Sequence, residues 1–173
     1  MELDRTSAAA IAQGYFSTAA PLISLGWGIS GFVYLSPDAL SVVKVHRHED
    51  SFQREVDVYR RLRELRITSL HGLTIPKLIG HRADLRVIHM DFVSAPYLLD
   101  FAGVRFTPPD FTDEVMESWH AGIHEMFGPN AHIAYAVYHT LARRGLYYMD
   151  LRPSNLNVTG LPGVQPARPA EDE

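Results

Sequence analysis

LISLGWGISGFVYL, residues 22–35, is the stretch on which the fold turns. Within it, Gly26-Trp27-Gly28-Ile29-Ser30-Gly31-Phe32-Val33 fits the pattern G-x-G-x-x-G-x-V. The same glycine spacing opens a helix in a βαβ unit, so the element entered at Gly31 decides the architecture. Here FVYL and then SVVKV at 41–45 are short apolar, β-branched runs, separated by the turn SPDA at 36–39. The segment therefore reads as consecutive antiparallel strands with glycines in the first connection. Glycines there let backbone amides approach an anion such as phosphate without a Cβ in the way. An ordinary glycine-rich hairpin shares this local pattern, so the reading depends on the other signals the chain carries.

The 173 residues are 46% hydrophobic and 21% charged, enough for one sizeable core in one compact, bilobed domain. A net charge of −4 supplies no basic footprint, which sets aside nucleic acid and anionic membrane as partners. The absence of cysteine removes disulfides, thiolate metal sites and a Cys nucleophile together. No apolar run reaches the roughly 18 residues of a membrane span, and the N-terminal residues do not form a signal peptide, so the chain reads as soluble and cytoplasmic.

Outward from the strands, residues 1–21 read as an arm with a loose helix of small residues. Asp50 is positioned to cap a helix from Ser51 to about Leu65, with Gln53 completing a capping box. Phe52, Val56, Tyr59 and Leu62 form its apolar stripe. Strand-like runs come next at 75–80 and 85–93, the first weakened by Pro76. Thr112 opens a helix to about Met126, GPN at 128–130 interrupts, and a helix runs from Ala131 to Arg144 with Gly145 as its stop. The expected divisions are an arm at 1–21, a strand-rich lobe at 22–93, a helical lobe at 94–160 and a flexible proline-rich tail at 161–173.

Lys44 lies in an apolar strand, where a lysine needs an anion or an edge from which to reach water. Glu55, about 60° around the helix from Phe52, falls inside the apolar stripe, and a carboxylate there should be paired. Asp150-Leu151-Arg152-Pro153-Ser154-Asn155 supplies D-x-x-x-x-N after a stopped helix. That spacing sets an orienting carboxylate before an amide oxygen able to hold Mg²⁺, with a cation between them. His120 and His124 share a helix face but lack a third ligand, and His46 and His48 read as solvent-facing.

In this order, these elements resemble the protein-kinase-like superfamily over about residues 22–158. Gly26, Gly28 and Gly31 match its glycine-rich loop, Lys44 its third-strand lysine, Glu55 its αC glutamate and YMDLRPSN its catalytic loop. The resemblance implies an α+β, bilobal fold with an antiparallel sheet and a reduced helical lobe. It makes Met90 a gatekeeper and Asp91 to Val93 an adenine-binding hinge, with Asp91 and Val93 among the nucleotide-binding residues. It further implies ATP and Mg²⁺ as cofactors, Lys44, Asp150 and Arg152 as the catalytic set and Asn155 as a metal ligand.

Tyr148 and Met149 replace the family's His and Arg before the catalytic Asp, and no D-F-G comes after Asn155. LDFAG at 99–103 is similar to that motif but precedes the catalytic loop, so on chain order it is set aside. Asp172 is the remaining candidate for the second metal ligand, if VQPARPA returns as a strand. The expected activity is transfer of the ATP γ-phosphate to a hydroxyl, with a protein Ser/Thr acceptor favoured. The alternatives are a small-molecule kinase, a pseudokinase-type nucleotide-binding or protein-interaction module, and a fragment completed by another polypeptide.

Overall fold

The computed structural model describes residues 3–165; Asp172 and the end of the tail lie outside the described residues. The chain is α+β. In order, it forms α1 (Arg5–Tyr15), β1 (Ser24–Trp27), β2 (Gly31–Leu35), β3 (Ser41–His46) and α2 (Glu49–Glu64). Five short strands come next: β4 (Ser69–Leu70), β5 (Leu73–Thr74), β6 (Leu78–Arg82), β7 (Val87–Asp91) and β8 (Tyr97–Leu98). Then come α3 (Asp113–Phe127), α4 (Ala131–Ala142) and β9 (Leu156–Asn157). No helix among the described residues is long and apolar enough to cross a membrane.

The elements divide into two compact units that interleave along the chain rather than meeting at one cut near 93. The first holds the N-terminal residues to Thr68, Pro76–Val93 and Asp100–Gly103; the second holds Ser69–Ile75, Ser94–Leu99 and the rest from Val104.

In the first unit an antiparallel sheet runs in the order β1-β2-β3-β7-β6. As the sequence pattern predicts, β2 and β3 pair through the Ser36 turn, where Ser36 and Asp38 bond side chain to side chain. The strand expected from Ile75 begins only at Leu78, because Pro76 has no amide to give a ladder. All six residues of β3 are buried, so it is the sheet's central strand. Helix α1 packs its buried Ala8 and Ala12 against Phe32, Tyr34, Val43 and Val45. Helix α2 buries Phe52, Val56, Tyr59 and Leu62, each worth about 1.5–3 kcal/mol of apolar burial.

The start of α2 differs from the expected capping box. His48 occupies the N-cap, without a side-chain cap bond, and Gln53 donates to Asp57 instead of reaching back. Glu49 and Asp50 stand in the first turn, where their charge favours the positive end of the helix dipole.

The second unit is helical around a small sheet of order β4-β5-β8-β9, in which β5 and β8 run parallel. Thr112 caps α3 as expected, its Oγ1 accepting the Val115 N–H at 3.4 Å. Gly145, at φ +76°, ends the α4 segment, a conformation that costs glycine nothing. The core of this unit includes Ile123, Leu141, Leu146, Tyr148, Leu151 and Leu156.

Candidate functional site

Each unit carries its own constellation. In the first, β3 and α2 bring Lys44 and Glu55 together, with Lys44 Nζ donating to Glu55 Oε2 at 2.7 Å. Both side chains are almost fully buried, at 6% and 1% exposure, so neither charge could persist here without a partner. The pair expected from the apolar stripe is therefore present. Burial alone would push the Glu55 carboxyl up, but the Lys44 ammonium and His46 overcome it and hold the pKa at about 2. For Lys44, burial pulls down while Glu55 and Asp100 raise, and the ammonium ends above its ordinary value.

The second partner of Lys44 is a residue that chain order excludes. Asp100 Oδ1 lies 2.6 Å from Lys44 Nζ, so the ammonium is held between two carboxylates. Asp100 opens the string DFAG, and the following Phe101 N–H donates to the other Glu55 oxygen at 3.3 Å. Phe101 packs edge-on against Tyr59 of α2, with ring centroids 5.4 Å apart. Asp100 itself sits at φ +57°, a left-handed conformation that a short polar side chain tolerates better than most. Chain order set the string LDFAG aside, and its aspartate is nonetheless in contact with Lys44.

The glycine hairpin belongs to the same unit. Gly28 N–H donates to the Gly31 carbonyl at 2.9 Å, closing the turn between β1 and β2. Ser30 Oγ reaches the second Asp100 oxygen at 3.5 Å, a long contact at the edge of hydrogen bonding. The three glycines differ in why they are small. A Cβ on Gly26 or Gly28 would meet nothing within 4 Å, whereas one on Gly31 would lie 2.2 Å from the Val45 carbonyl oxygen. Gly31 thus serves strand packing, while the first two keep the surface of the hairpin open.

Met90 is buried on β7 and accepts the Tyr59 hydroxyl through its sulfur at 3.2 Å. Asp91 N–H donates to the Lys77 carbonyl at 3.0 Å and Phe92 N–H to the Leu40 carbonyl at 3.1 Å. Val93 ends this segment, half-buried. His46, expected in solvent, is instead fully buried, because it comes two positions after Lys44 and shares its inward face. His48 is exposed as expected.

In the second unit Asp150, Arg152 and Asn155 form one local network. Arg152 Nε donates to Asp150 Oδ1 at 2.9 Å, and Asn155 Nδ2 donates to Asp150 Oδ2 at 3.1 Å and to its carbonyl at 3.0 Å. Asn155 is buried and points its amide nitrogen at Asp150, and the Ser154 hydroxyl donates to its Oδ1 at 3.3 Å. The Asp150–Arg152 pair is half exposed, so it orients the carboxylate more than it stabilises the unit.

Three supports of this loop have no signal in the sequence pattern. Leu99 N–H donates to the Asn155 carbonyl at 2.7 Å, and the Tyr148 hydroxyl donates to the Leu99 carbonyl. Together with the β8–β9 pairing, these bonds bind residues 97–99 to the segment from Asn155 to Asn157. Trp119 Nε1 on α3 donates to the Met149 carbonyl at 2.8 Å, immediately before Asp150. His120 lies 3.1 Å from the Tyr135 hydroxyl through Nδ1, and His124 packs its ring on Tyr135.

No protein-family model and no curated protein matches the chain. Among solved structures it is similar to the streptomycin–ATP–APH(2")-IIa ternary complex, at 23% identity and a TM-score of 0.37 over 54% of this chain. It is likewise similar to the gentamicin–APH(2")-IIa complex, at 22% identity and a TM-score of 0.38 over 54% of this chain. The matched regions span 30% and 29% of those chains.

Proposed function

We propose that the chain is an ATP-dependent phosphotransferase that moves the γ-phosphoryl group of ATP onto a hydroxyl. The observation that carries this reading is Lys44, a buried ammonium held by Glu55 and Asp100 in the unit that bears the glycine hairpin. A lysine so placed exchanges one carboxylate for phosphate oxygens while the other keeps it charged and aimed. Glu55, buried and ionised, is the partner that stays; Asp100, one-third exposed, is the one that can turn to other work.

In this reading Gly26 and Gly28 keep the hairpin open for phosphates. The amides of Asp91 and Phe92 are spent within the unit, so the donor to adenine falls to Val93 and the acceptor to the Asp91 carbonyl. Asp150 accepts the proton of the acceptor hydroxyl, whose oxygen then forms the new P–O bond as the bond to the β-phosphate oxygen breaks and ADP leaves. Arg152 stands beside Asp150 to meet charge on the transferred group. Asp100 in the first unit offers carboxylate oxygens and Asn155 Oδ1 in the second an amide oxygen, and each by its own chemistry is a hard donor of the kind Mg²⁺ takes. When bound, Mg²⁺ would neutralise phosphate charge. The carboxylate proposed for the metal is Asp100, while Asp172, the candidate expected from the sequence, lies outside the described residues.

The test is transfer from labelled ATP with Mg²⁺, comparing the wild type with Lys44→Ala and Asp150→Ala. One acceptor arm uses streptomycin and gentamicin, the small molecules named with the two similar solved structures, and another uses protein substrates, the acceptor expected from the sequence. Label transfer in either arm, abolished by both substitutions, supports the enzyme and decides its acceptor class. Nucleotide-dependent thermal stabilisation with no transfer in any arm would replace it with a nucleotide-binding module.

A further inference from the structure

We propose that His46 is a positioning residue that fixes the Glu55 carboxylate, so that Lys44 can leave Asp100 for phosphate without losing its aim; the phosphate half of this statement rests on the function proposed above. The His46 side chain is 0% exposed and sits two residues after Lys44, on the same inward face of β3. Its Nε2 lies 3.1 Å from Glu55 Oε2, the same oxygen that accepts from Lys44. A bare Nε2 would put the negative end of the ring dipole beside a carboxylate oxygen, so Nε2 carries the proton. Nε2 makes no formal hydrogen bond in this geometry, so the 3.1 Å contact acts as a Coulombic one.

The rest of the ring is held just as closely. With the proton on Nε2, Nδ1 is the acceptor and takes the Ser51 hydroxyl hydrogen at 3.3 Å, and the ring meets Phe52 edge-on. His46 is therefore tied to the first turn of α2 at one nitrogen and faces Glu55, one turn further along, at the other. Glu55 receives Lys44 and His46 on one oxygen and the Phe101 amide on the other. When Lys44 shifts toward a phosphate, His46 and Phe101 are the groups that keep the carboxylate in place.

The chain has lysines only at 44 and 77, which gives a direct spectroscopic readout. The side-chain ammonium spectrum of ¹⁵N-labelled protein contains Lys44, and exposed Lys77 serves as control. Gln places an amide N–H near the position of Nε2, and Asn places one near Nδ1 only. His46→Leu and His46→Asn are expected to speed Lys44 ammonium exchange about tenfold, while His46→Gln stays within about twofold of the wild type. The Kd for MgATP should keep the same order, about tenfold weaker for Leu and Asn and near wild type for Gln.

If His46→Leu does not fold, the comparison of Gln with Asn still decides the matter. Equal exchange rates in Gln and Asn variants, or a wild-type rate in Leu, would overturn the proposal. A wild type that binds no MgATP would instead overturn the function proposed above, while the exchange rates still report whether His46 holds Glu55.

Discussion

Replacing Glu55 with Gln tests the buried charge network where its energy can be worked out. The Glu55 carboxyl is held at about 2 in the folded chain against an ordinary 4.5. A depression of that size corresponds to about 3 kcal/mol, present above pH 4.5 and lost as the pH falls toward 2. The sign comes from the carboxylate being the favoured form in the fold: protonating it gives up the attraction of Lys44 and His46. Glu55→Gln keeps the shape and an oxygen for the Phe101 amide but removes the charge, leaving Lys44 with Asp100 alone. Urea unfolding monitored by circular dichroism should therefore show the variant about 3 kcal/mol less stable at pH 7. The gap should narrow steadily below pH 4.5 and nearly vanish near pH 2, because acid does to the wild type what the substitution has already done. Other carboxylates titrate in both proteins and cancel in the difference. A gap that is the same at pH 3 as at pH 7, or no gap at pH 7, would refute the assignment of stability to this charge.

Asp100→Asn should lower the rate of Mg²⁺-dependent transfer by about a hundredfold or more, yet leave the melting temperature nearly unchanged, since the side chain is one-third exposed and Lys44 keeps Glu55. Gly31→Ala should cost about 1–3 kcal/mol by driving a methyl into the Val45 carbonyl, whereas Gly26→Ala and Gly28→Ala should melt like the wild type and weaken MgATP binding instead; melting curves and titration calorimetry separate the two effects. Trp119→Phe removes the donor to the Met149 carbonyl and should cost about 1 kcal/mol, with turnover falling more than the apparent affinity for ATP.

The first unit is legible in the sequence because its signals are local. The strand-turn-strand order comes from apolar alternation and turn residues within 22–46, and the Lys44–Glu55 pair from helical periodicity. Glu55 falls in an apolar stripe, where an unpaired carboxylate is too costly to persist. Thr112 and Gly145 likewise act through their own local chemistry, one as a cap and the other as a stop. The misses come from elsewhere. Asp100 escapes a sequence reading because its contact with Lys44 joins residues 56 positions apart, a separation that local periodicity does not register. His46 reads as solvent-facing only if alternation ends at Val45, and the strand in fact continues through it. The Asp50 capping box fails because the helix begins two residues early, a shift that propensity does not resolve.

The pairing of Tyr97 with Asn157 and of Leu98 with Leu156 bears on how the second unit comes into being. During synthesis, Tyr97 and Leu98 emerge well before the strand that completes their ladder, and α3 and α4 are made in the interval. The helices can form early on local contacts, but the polar edge of β8 must wait for β9. Until then the backbone of Leu99 lacks its Asn155 partner. Premature termination before Leu156 is therefore an effective way to yield a chain whose first unit can assemble while its second cannot close.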